Sequence, residues 1–155
     1  MTGTVEARLK DKGIDLPEVA APQGAYVPYI ISGNLVFLAG QLPMAEGKVQ
    51  VTGKLGQDVS LEDGQKAARL CGLNLIAQLK RACGGDLDRV KRVVKLTGFV
   101  NATPDYDAQP KVINGVSELM AEVFADAGQH ARAAVGAGSL PLNVAVEVEA
   151  IVEIA

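Results

Sequence analysis

Apolar residues recur along the chain with two different periods. In VAVEVEAIVEIA, Val144 to Ala155, they alternate. Val144, Val146, Val148, Ala150, Val152 and Ile154 share one parity, and Ala145, Glu147, Glu149, Ile151 and Glu153 share the other. Alternation of this kind predicts a strand with one core face and one polar face. Between Leu61 and Ala82 the period lengthens. Leu61, Ala68, Cys71, Leu75, Leu79 and Ala82 fall on one side of a helix, with Ser60 and Asp63 forming a cap at its start and Gly84-Gly85 ending it. A second long helix is predicted from Pro110 to about Asp126, with Ile113, Val116, Met120 and Val123 on its apolar face, Phe124 beside them and Gly128 as its stop. A short helix from Val5 precedes these and closes at Gly13.

The remaining apolar runs read as strands. Residues 25–33 and 34–41 meet at Gly33-Asn34, a two-residue hairpin signal. Residues 42–59 are turn-rich and hold a short strand or none. VKRVVKLTGFVNA is a long β-branched run, and two further strands are predicted around Arg132–Leu140 and Val144–Ile154. After the first helix the order is therefore β-β-α-β-α-β-β. With the first and last pairs read as hairpins, the sheet is mixed and mostly antiparallel, with two long amphipathic helices over one face: an α+β domain. Its other face must be wet or covered by another subunit. Residues 1–23 read as a helix-and-loop extension and residues 24–155 as the main domain, one compact unit in all.

Composition narrows the function. A chain of 155 residues supports one domain with its own core. With 48% hydrophobic residues, 4% aromatics and no Trp, that core is aliphatic. The net charge of -3 and the absence of a basic cluster make nucleic acid a poor candidate for the main partner. The nearest exception, RVKRVVK from Arg89, interleaves its cations with valines and reads as the exposed side of a strand. Two cysteines are too few for a disulfide framework, and free thiols suit a reducing, cytoplasmic setting. Cys71 falls on a core face, whereas the position of Cys83 near a helix end allows exposure, with nothing nearby to activate it. No run resembles a signal peptide or a bilayer span. A single His, His130, excludes an ordinary zinc constellation and reads as an incidental residue of the loop before Arg132.

One stretch carries chemistry. ARAAVGAGSLP, Ala131 to Pro141, sets a lone cation, Arg132, among small uncharged residues. A guanidinium fork matches a carboxylate with two parallel hydrogen bonds, and the small neighbours leave room for a ligand. The competing reading is a surface ion pair between Arg132 and Glu147 or Glu149.

GAYVPYIISGNLVFLAGQLP, TGFVNATPDYD and the run from Arg132 through Leu140-Pro141 into Val146–Ile151 resemble the RidA family, also called YjgF-type or endoribonuclease L-PSP-like. The resemblance covers roughly Gly24 to the C-terminus. It implies a chorismate-mutase-like α+β fold and a homotrimer with a central barrel and clefts between subunits. It implies hydrolysis of reactive enamine and imine acids to 2-keto acids, with no metal or organic cofactor. Arg132 would hold the carboxylate of a small metabolite and Glu147 would orient or deprotonate a water. Tyr26, Asn114, Gly40 and Ala134 would line the substrate site. Ala39 and Ala134 stand where the family carries a hydroxyl and a thiol. A binding module for small carboxylates and, behind it, an endoribonuclease are the alternative functions.

Overall fold

The computed structural model describes residues 3–19 and 24–155. The loop expected over residues 15–24, and with it the boundary drawn after residue 23, is described only in part, because residues 20–23 lie outside the described residues.

The hairpin forms where Gly33-Asn34 places it. Strand β1 (Tyr29–Ser32) pairs with β2 (Leu35–Gln41), Ser32 opposite Leu35. Only Gly33 of the two loop residues takes positive φ, +63°. That is the form of two-residue turn needing glycine at its first central position alone. The turn-rich stretch holds a small hairpin of β3 (Met44–Ala45) and β4 (Lys48–Val49). Helix α2 (Leu61–Ala82) starts as its cap predicts, with the Ser60 hydroxyl accepting from the Asp63 N–H at 3.1 Å. Leu61 departs from the predicted apolar face and is 39% exposed; the first buried position of the helix is Gly64, a turn further on. Beyond that point α2 is buried on several sides, since the sheet covers one flank and helix α3 (Gln109–Phe124) another.

The last two strands are not a hairpin. Strand β6 (Ala131–Ala137) runs parallel to β5 (Val90–Asn101), and β7 (Val146–Ile154) lies antiparallel between β5 and β2. The five-stranded order is β1-β2-β7-β5-β6. The physical reason lies in α3. Parallel neighbours need a long crossover, and the helix between β5 and β6 supplies one. A single turn at Pro141–Asn143, with Leu142 and Asn143 at φ 55° and 57°, then carries the chain back past the end of β5. Asn101 fastens this return. It is fully buried, its Nδ2 donates to the Gly53 and Val144 carbonyls and to Asn143 Oδ1, and its N–H donates to the Ala145 carbonyl. The sheet is thus mixed and mostly antiparallel with its long helices on one face, an α+β domain as the pattern predicts.

In β7 the residues Val146, Val148, Ala150, Val152 and Ile154 are all buried toward the helices. The opposite face carries Phe37, Ile30 and Val135, which remain 42%, 55% and 44% exposed. Both thiols are free and buried; Cys83, whose helix-end position allowed exposure, is 2% exposed because the C-cap of α2 lies within the core cluster. Among the described residues no helix is long and apolar enough to cross a membrane.

Helix α1 (Thr4–Asp11) buries Val5 and Leu9 in the same core. Its own N-cap, Gly3, offers no side chain, and Asp88 serves instead from far along the chain, accepting from the Thr4 and Val5 N–H groups at 2.9 Å each. These two bonds hold the Asp88 carboxyl below its ordinary value. A carboxyl lowered on folding stabilises above its unfolded pKa and loses that contribution as pH falls through the folded one. Asp88→Ala is therefore expected to speed amide exchange in α1 roughly fivefold at neutral pH, the usual scale of a lost cap, with no difference once Asp88 is protonated. Exchange measured by NMR at two pH values checks it.

Candidate functional site

The register of β5 against β6 decides where Arg132 points. Arg132 sits opposite Leu96, a core residue, and therefore faces the helix layer at the sheet edge, with Ala134 opposite Gly98 next along the same face. There it meets α3. Arg132 Nη1 donates to Asn114 Oδ1 at 2.8 Å and to Ser117 Oγ at 3.2 Å, and Nη2 donates to the Pro110 carbonyl at 3.2 Å. Asn114 and Ser117 are three residues apart, one above the other on the helix face.

All of these partners are neutral. No carboxylate lies within ion-pair distance of Arg132 among the described residues, so the surface ion pair with Glu147 or Glu149 is absent. The guanidinium has five N–H donors, of which three are used. The Nε–H and one Nη2–H have no acceptor among the described residues. A half-buried cation is thus held rigidly by neutral oxygens with two donors left over, the number a carboxylate takes. Asn114 uses its Oδ1 as the acceptor for Arg132.

The other candidate residues lie elsewhere in the chain. Glu147 pairs with Phe99 across β5 and β7, on the face opposite the helices. Its carboxylate rests over Gly40 at the irregularity in β2, where a Cβ would collide with Oε2. Burial, with Glu149 adding to it, raises the Glu147 carboxyl above its ordinary value. A carboxyl raised on folding stabilises below its unfolded pKa and loses that contribution as pH rises through the folded one. Glu147→Gln is accordingly expected to raise Tm by a few degrees near pH 7.5, the gain vanishing below about pH 4, in paired thermal melts. Tyr26 lies beside β1, in a concavity of about 500 Å³ shared with Val27, Tyr29, Ile30, Phe37 and Ala39. As β1 and β6 are the two edges of the sheet, four strand spacings, about 19 Å, separate β1, which Tyr26 precedes, from the strand that carries Arg132. The chain therefore brings Arg132, Asn114 and Ala134 together on one edge, and Glu147, Gly40 and Tyr26 on the opposite face toward the other.

Comparison with known proteins fits this architecture. The family described as "YjgF/chorismate_mutase-like, putative endoribonuclease" matches residues 6–154. The chain belongs to this family. The match begins inside α1, so six of the eight residues of that helix fall within it. Protein TCP17 of Trypanosoma cruzi is 47% identical over 154 residues, 99% of this chain and 96% of that protein. The crystal structure of Atu1372 from Agrobacterium tumefaciens, of unknown function, is 52% identical with a TM-score of 0.91, covering 97% of this chain and 92% of that one. A crystal structure from Shewanella oneidensis, described as a putative endoribonuclease, is 41% identical with a TM-score of 0.94, covering 98% and 100%. Within the YjgF-like fold, what the sequence did not single out are two neighbours of the cation. Ser117 belongs to no motif, and a lone His130 in a loop reads as incidental. The available signals were the three-residue spacing of Ser117 from Asn114 and the two-residue spacing of His130 from Arg132.

Proposed function

We propose that this YjgF-family chain hydrolyses small reactive imine acids, formed from enamine acids by tautomerisation, to 2-keto acids and ammonia. The observation that carries the reading is Arg132, a half-buried cation with no carboxylate partner among the described residues and two unused N–H donors. Those donors bind the substrate carboxylate. Water then attacks the imine carbon. The new C–O bond forms as the C=N π electrons move to nitrogen, which takes a proton. Collapse of the carbinolamine to C=O expels ammonia. Glu147, with a carboxyl raised by burial, suits proton transfer to and from that water.

The division of the candidate residues between two places leads to the assembly. In a homotrimer, the β6 edge of one chain would face the open, apolar sheet surface of the next. A cleft formed there would join Arg132 to a neighbouring copy's Tyr26, Gly40 and Glu147. The exposure of Ile30, Phe37 and Val135 supports burial of that face. A second reading, binding without turnover, draws on the same division: the carboxylate clamp is complete in one chain while Glu147 is not beside it. The test generates imines from several amino acids with a dehydratase and follows their decay with the purified protein. Accelerated decay supports hydrolysis. Saturable binding of keto acids without acceleration leaves the binding module.

A further inference from the structure

Behind Arg132 lies a directed chain of hydrogen bonds. His130 Nδ1 is 2.6 Å from the Gly128 carbonyl, which can only accept, so Nδ1 carries the proton. In the neutral ring Nε2 is then an acceptor. It lies 2.9 Å from Ser117 Oγ, so the serine hydroxyl donates to it. That commitment turns the Oγ lone pairs outward, and one of them accepts from Arg132 Nη1 at 3.2 Å. The start of the chain is fixed by packing: Gly128 is buried, and a Cβ there would collide with the Met120 carbonyl.

We propose that Ser117 and His130 are positioning residues for Arg132. A serine inside a helix ordinarily rotates to donate to the carbonyl four residues back, here Ile113. His130 removes that option by accepting the hydroxyl's hydrogen bond at Nε2. Ser117 and Asn114 then occupy both Nη1 donors, and the Pro110 carbonyl occupies one on Nη2. The guanidinium cannot turn about its Nε–Cζ bond without breaking these contacts together, so the same two N–H groups always face the ligand. Pre-orientation of this kind raises affinity by removing the ordering cost from the binding step. The inference rests on the reading that Arg132 binds a carboxylate, yet the relay itself is measurable without any ligand.

The experiment has two arms on the full chain. In the first, ¹⁵N NMR of the unliganded protein reads the His130 tautomer and the rotation of the Arg132 guanidinium. The expected result is Nδ1–H with Nε2 unprotonated, and slow rotation that becomes fast in both Ser117→Ala and His130→Ala. In the second arm, pyruvate and 2-ketobutyrate are titrated calorimetrically. Each single variant is expected to bind about tenfold more weakly, and the double variant no more weakly than either single, because both act through one chain of bonds. His130→Gln, whose amide oxygen can accept from Ser117, should recover binding to within about twofold. Unchanged rotation in Ser117→Ala, or an Nε2–H tautomer, overturns the proposal whatever the affinities. Altered rotation with no carboxylate binding by the native protein leaves the relay standing and removes the functional reading instead. A loss of fold would appear as a collapsed amide spectrum, and His130→Gln then serves as the folded comparison.

Discussion

Arg132→Ala is expected to lower kcat/KM for imine hydrolysis by at least about a hundredfold while leaving the fold intact. The asymmetry follows from the surroundings of the side chain. The atoms it would abandon, Asn114 Oδ1, Ser117 Oγ and the Pro110 carbonyl, sit at the edge of the sheet where water can replace it. The stability change should therefore be small, a shift of a few degrees in Tm at most. The substrate, by contrast, loses the fork that aligns its carboxylate and hence the imine carbon with the attacking water. Misplacement on the ångström scale alone is worth about two orders of magnitude. Arg132→Lys keeps the charge but offers a point donor in place of a fork, and should fall between the two. Activity retained in the alanine variant, with contaminating hydrolase excluded, would remove Arg132 from the mechanism.

The second large effect concerns architecture. Gly115 follows Asn114 in α3 and packs against the backbone of α2 at Gln65; an added Cβ would overlap the Gln65 carbonyl oxygen. Gly72 of α2 makes the reciprocal approach, with Val116 and Leu119 both 2.8 Å from where its Cβ would stand. Backbone cannot yield as a flexible side chain does, so Gly115→Ala must separate the two helices. Overpacking of this kind costs about 1–3 kcal/mol, and an overlap with backbone falls toward the upper end of that range, so it outweighs the roughly 1 kcal/mol that alanine gains in helix propensity. The expected outcome is a Tm lower by several degrees, together with weaker carboxylate binding, since a displaced α3 carries Asn114 and Ser117 away from Arg132. Denaturant melts and calorimetry on one preparation check both. A variant as stable as the native chain would show that the helices slide apart freely.

The local pattern made much of this fold legible. The glutamates of β7 alternate with its valines because one face of that strand is buried, and Ser60 caps α2 because its side chain is the right length to reach the Asp63 N–H. The neighbours of β6 were not legible. Local sequence describes a strand and its turn, whereas the insertion of β7 between β2 and β5 depends on contacts distant along the chain. The same limit governed the site. Arg132 is conspicuous as a lone cation, but its face follows from the parallel register with β5, where a slip of one residue would turn it away from α3. Glu147 has a clear parity within its own strand. Nothing local relates that parity to the one in β6, so the separation of the two residues onto opposite faces emerges only in three dimensions. Ser117 and His130 carry no motif at all, and only the contact between α3 and the start of β6 gives them a shared purpose.

The central place of β7 also bears on how the chain is made. The strand that joins the two halves of the sheet follows all the other described strands in chain order. Until residues 146–154 emerge, β1 and β2 have no partner linking them to β5 and β6, and the valines of β5 and the inward side of the hairpin stay uncovered. Helices α2 and α3 can form and meet early, being close in sequence, but they have no complete surface on which to rest. Assembly of the sheet is consequently a concerted event that waits for β7, with pairings between distant parts of the chain setting its pace.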